Sequence, residues 1–87
     1  MNKKGNDETT YDELMEYFTM RREIEFLYKG IFYAFLSVKG GFVLVRENRI
    51  VTDVYANTIQ LAHEAVVDGT PFLELFQRQE IEITMVF

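Results

Sequence analysis

Nucleophilic hydrolysis needs a base beside the attacking hydroxyl or thiol, and that base is normally histidine. This sequence holds one histidine, His63, one serine, Ser37, and no cysteine. His63 follows Ile59 by one turn of a helical pattern, while Ser37 falls inside a strand pattern, so no spacing couples them. His63 reads as a boundary or surface histidine rather than a catalytic one. Carboxylates are more plentiful. Glu23 and Glu25 stand two apart, as do Glu80 and Glu82, and on strands each pair projects from one sheet face. A glycosidase-type pair requires one carboxyl in an apolar pocket. These carboxylates instead oppose Ile24, Phe26, Ile81 and Ile83, on the expected solvent side.

Asp7, Glu8, Asp12, Glu13 and Glu16 lack the spacing and central glycine of a calcium loop, and read as a solvated helix face. Gly40-Gly41 precedes a strand pattern and belongs to neither a GxGxxG nor a GxxxxGK[ST] motif, so it reads as turn glycine rather than a phosphate cradle. The sequence therefore offers no catalytic residue, no metal-ligand set and no cofactor site.

The elements that would position these groups read as one α+β domain over residues 10–87, behind a polar, aperiodic stretch at 1–9 that predicts a flexible tail. Thr10 and Glu13 have the spacing of a capping box, opening a short amphipathic helix over 11–20 with Leu14 and Phe18 inward. Alternation over 22–28 and 31–38, interrupted by Lys29-Gly30, predicts a hairpin. A two-residue loop pairs Tyr28 with Ile31, Phe26 with Tyr33 and Ile24 with Phe35, an apolar ladder on one face. Residues 42–46 and 50–55 continue the meander. Asn57 or Thr58 caps a second helix running to Val67, with Ile59, Ala62 and Val66 buried and Asp68-Gly69 ending it. Thr70-Pro71 starts a third, short helix, with Thr70 as N-cap and Pro71 in the first turn. Residues 80–87 alternate as a last strand with Ile81, Ile83 and Met85 inward. The expected architecture is an antiparallel meander sheet of about five strands, in the order α-β-β-β-β-α-α-β, with the helices on one sheet face.

Composition bounds the function. Eighty-seven residues, 48% hydrophobic and 15% aromatic, make one small core in which few large rings suffice. The lack of cysteine favours a reducing compartment, no apolar run approaches a membrane span, and the N-terminus lacks the apolar stretch of a signal peptide; the expectation is a cytoplasmic protein. A net charge of −5 with scattered Lys and Arg opposes phosphate binding, so no nucleic-acid partner is expected.

One feature resists a simple two-layer fold. Opposite the ladder, the hairpin carries Leu27, Phe32, Ala34, Leu36 and Val38, softened only by Glu23 and Glu25, and Val43 and Val45 extend it. A sheet with one wet face should alternate more cleanly. Either a helix covers this second face or the face meets another molecule, with Leu27, Phe32, Leu36 and Val38 as candidate interface residues.

Arg22-Glu-Ile-Glu-Phe-Leu-Tyr-Lys-Gly30, Ala65-Val-Val-Asp-Gly69 and Glu80-Ile-Glu-Ile83 resemble a family of small uncharacterised proteins of Gram-positive bacteria and their phages, over roughly residues 11–85. The resemblance rests on structural motifs and implies a small stand-alone protein, in keeping with a mobile element, without implying chemistry. The functional expectation is a non-enzymatic protein-interaction or regulatory module, its partner another protein or itself as a homodimer. An acidic inhibitor that occupies a partner's nucleic-acid site is one alternative. A small-ligand binder or minor enzyme is the other.

Overall fold

The computed structural model describes residues 9–87; the predicted tail, Thr9 apart, lies outside the described residues, as do Asp7 and Glu8. Helix α1 spans Tyr11–Thr19. Thr10 Oγ1 accepts from the Glu13 N–H at 3.1 Å and Glu13 Oε1 accepts from the Thr10 N–H at 2.9 Å, so the predicted capping box satisfies donors that a helix start leaves without intrahelical partners.

Strands β1 (Ile24–Tyr28) and β2 (Ile31–Val38) form the hairpin in the predicted register. Lys29 and Gly30 both take positive φ, 51° and 77°, as a type I′ turn requires. Strands β3 (Gly41–Arg46) and β4 (Arg49–Ile50) continue the meander. β4 is shorter than the alternation over 50–55 predicted. Thr52 Oγ1 takes the Leu44 N–H at 3.0 Å, which diverts the ladder, and the chain rejoins β3 only where Tyr55 bridges Phe42. That bridge explains Gly41, because a Cβ there would stand 2.1 Å from the Tyr55 carbonyl oxygen.

Helix α2 (Thr58–Glu64) stops short of Val67. Ala65 is extended, and Val66–Val67 (β5) pairs with Thr70–Pro71 (β6) around an Asp68-Gly69 turn with both φ positive. The glycine read as a helix stop is thus a hairpin turn. Val66, predicted inward on a helix, is 51% exposed, and Leu61 is buried beside Ala62. Helix α3 (Phe72–Gln77) begins one residue late, with Pro71 rather than Thr70 at its N-cap and no side-chain cap.

Strand β7 (Glu82–Val86) runs antiparallel to β1, completing a five-stranded sheet in the order β4-β3-β2-β1-β7. The register slips between Glu25 and Phe26: Phe26 faces Ile83, whereas Ile24 faces Val86 and Glu25 faces Met85. This bulge at Thr84 corrects the inward assignment of Met85, which is 49% exposed, and turns Val86 toward the core instead. An extra residue in one strand reverses the side-chain parity beyond it.

The three helices of the described residues lie on one sheet face. Leu14 and Phe18 of α1, Leu61 and Ala62 of α2, and Phe72 and Leu75 of α3 share one cluster with Ile24, Phe26, Tyr33, Phe35, Leu44 and Ile83. At its centre, Phe35 meets Phe18 and Phe72 edge-on, with centroids 4.9 Å apart in both cases, a geometry the ring quadrupoles favour. Buried Thr58 donates its hydroxyl to the Phe18 carbonyl at 2.6 Å, tying α2 to the end of α1.

Candidate functional site

The open face of the sheet is built by the register. Beside Glu25 stand Met85 on one side and Ala34, Val45 and Ile50 in succession on the other. One step toward the hairpin turn, Leu27 lies between Glu82 and Phe32. One step the other way, Leu36 lies opposite Val43, and Glu23 stands at the end of β1 with its carbonyl accepting the Phe87 N–H at 2.8 Å. No helix crosses these rows among the described residues, since every helix packs on the other face.

Val43 and Val45 are nonetheless buried, while Leu27, Leu36 and Val38 are half-buried and Phe32 is 52% exposed. The four predicted interface residues therefore share this face. Phe32 and Leu36 line a groove of about 620 Å³, whereas Leu27 lies beside Phe32 and Val38 lies at the far end of β2. Ala34 and Val45 also line it, with Phe87, Glu47 and Asn48 among its walls. The small side chain of Ala34, between the larger Phe32 and Leu36 on one strand face, supplies the concavity.

Two carboxylates stand within this apolar face. Glu23 Oε2 accepts the Ser37 N–H at 2.8 Å. The Thr84 hydroxyl lies 3.2 Å from Glu25 Oε1 and 3.1 Å from the Glu25 carbonyl oxygen. Both side chains are positioned by hydrogen bonds, so they are parts of the groove rather than loose surface acids. Among the described residues, no lysine or arginine lines it. Arg46 and Arg49 pair with each other in line with Tyr33, which places them on the opposite parity. The sequence signal for Glu23 and Glu25 was available, since they share parity with Leu27, but acids alternating on a strand read equally well as solvent-facing. Phe87 was hidden by the bulge.

A second depression, of about 530 Å³, lies beside β4 and is lined by Ile50, Val51, Thr52, Asp53, Tyr55, Glu64 and Val66. The Tyr55 hydroxyl donates to Glu64 Oε1 at 2.8 Å and Gln60 Nε2 donates to Glu64 Oε2 at 2.9 Å. The bond from Gln60, then that from Tyr55, holds the Glu64 pKa below its ordinary value, and the bond to Glu64 raises that of Tyr55. Neither shift prepares a base for neutral pH, because it makes Glu64 a weaker proton acceptor and Tyr55 a weaker donor. His63 is exposed on α2 and Ser37 is exposed on β2. No three His, Asp or Glu side chains converge on a metal-binding arrangement among the described residues.

Comparison with known proteins gives no match to a family model, to a curated protein or to a solved structure.

Proposed function

We propose that the chain is a non-enzymatic protein-interaction module working in the cytoplasm, and that the open sheet face is its binding surface. One observation carries the reading: Phe32, Leu36, Ile50, Met85 and Phe87 share a face that no helix covers among the described residues. Contiguous apolar surface of this kind marks a contact site in soluble proteins.

A second copy of the chain is the other reading, favoured by the half-exposed Phe32 among the apolar residues of this face. A homodimer through this face would form an isologous contact. It ranks second because two copies bring the same concavity and the same carboxylates to each other.

A photoreactive amino acid at position 32, expressed in the cells that make the protein, tests the interaction reading against the same probe at exposed Gln60 on α2. One discrete adduct from position 32 and none from position 60 is expected. Equal adducts from both positions, or none from 32, would remove the open face as the binding surface.

A further inference from the structure

The open face sets two carboxylates inside an apolar surface, and that combination restricts what can cover it. Glu25 has Met85 on one side and Ala34, Val45 and Ile50 on the other. Glu23 lines the same groove as Phe87 and Leu36. A purely apolar partner would bury both charges without compensation, which is strongly unfavourable. The occupant must bring cationic donors spaced among apolar side chains. The groove's shape adds a second restriction: a concave floor at Ala34 between Phe32 and Leu36 takes a convex body, and a helix about 10–12 Å across is the convex element proteins offer.

Resting on the interaction reading above, we propose that the groove binds a cationic amphipathic helix of a partner protein. Its apolar side meets Phe32, Leu36 and Val45, and its Lys or Arg side chains meet Glu23, Glu25 and Glu47. Glu23 and Glu25 are already oriented by the Ser37 N–H and the Thr84 hydroxyl, so less side-chain freedom is lost on binding.

The competing occupants fit less well. A second copy carries the same carboxylates and, among the described residues, brings no lysine or arginine to the groove. A strand added at the free edge of β7 meets the bulge at Thr84, which interrupts the row of backbone donors and acceptors such pairing needs.

The probe is a synthetic helix of about five turns, with leucine along one face and lysine on the rest, titrated by calorimetry at about 0.05 M salt. A twin peptide keeps the leucines and replaces every lysine by glutamate. The lysine peptide should bind, the glutamate twin should not, and the double variant Glu23→Gln, Glu25→Gln should weaken the lysine peptide about tenfold. Glutamine retains the oxygen that accepts from Ser37 and Thr84, so the variant should keep the wild-type melting temperature. Equal binding of both peptides, or an unchanged affinity in the double variant, overturns the cationic helix. Equal binding that Phe32→Glu abolishes would leave the interaction face standing. A dimeric mass by light scattering at about 100 μM, made monomeric by Phe32→Glu, makes the second copy the occupant and overturns this proposal alone. No binding by either peptide, with a monomeric mass, overturns both readings.

Discussion

Phe26 touches more aromatic rings than any residue apart from Phe35 and Phe72, stacking on Tyr33 at 5.2 Å and meeting Phe35 and Phe72 at 5.7 and 5.0 Å. It is fully buried. Phe26→Ala should cost about 3–5 kcal/mol, a large share of what a domain this size possesses; urea denaturation reads it, and a loss below about 1 kcal/mol would mean that the ring is not core. Two glycines separate strain from clash. Gly30 has φ +77° with nothing near its missing Cβ, so Gly30→Ala should cost only the left-handed penalty of about 1–2 kcal/mol. Gly41→Ala adds the collision with the Tyr55 carbonyl, and should destabilise by clearly more in the same measurement. Equal losses would show that the 41–55 contact gives way freely.

At the scale of elements, the sequence spoke most clearly where one pattern had one meaning. Ile24, Phe26 and Tyr28 alternate into a turn that demands positive φ, and only one register keeps their partners on the same face, so the hairpin was legible to the residue. The end of α2 was not. Asp68-Gly69 serves a helix stop and a two-residue hairpin equally well, and the helical spacing of Val66 favoured the first. The bulge was harder to see, because Glu80 to Met85 alternates without a break, Met85-Val86-Phe87 is apolar on both parities, and the extra residue is fixed only by pairing with β1. This governs the site: Phe32 and Leu36 were legible by parity, while Phe87 reached the open face only through the slip at Thr84. The bulge makes an opposed pair of predictions. Ile83→Lys places a charge in the core, where Ile83 is 2% exposed, and should cost several kcal/mol. Met85→Lys should change thermal stability by less than about 0.5 kcal/mol. Uninterrupted alternation, with Met85 inward, would make both severe.

For the whole molecule, charge and layering point the same way. The chain carries nine Lys and Arg against fourteen Asp and Glu, and among the described residues the groove on its open face is lined by acids and no bases. Duplex DNA and RNA should show no binding in a titration at about 0.15 M salt; micromolar affinity would redirect attention to Arg46 and Arg49. No helix is long and apolar enough to cross a membrane among the described residues.

The proposed partner is received on the open face rather than on the helical face or in the Tyr55–Glu64 depression. Amide chemical-shift mapping with the lysine–leucine helix tests it most directly, since each backbone N–H reports its own place on the sheet. The shifts should concentrate at residues 23–25, 32–36, 45 and 87, with α2 and α3 silent. Shifts centred on 51–55 and Glu64, or spread evenly over the acidic surface, would contradict it.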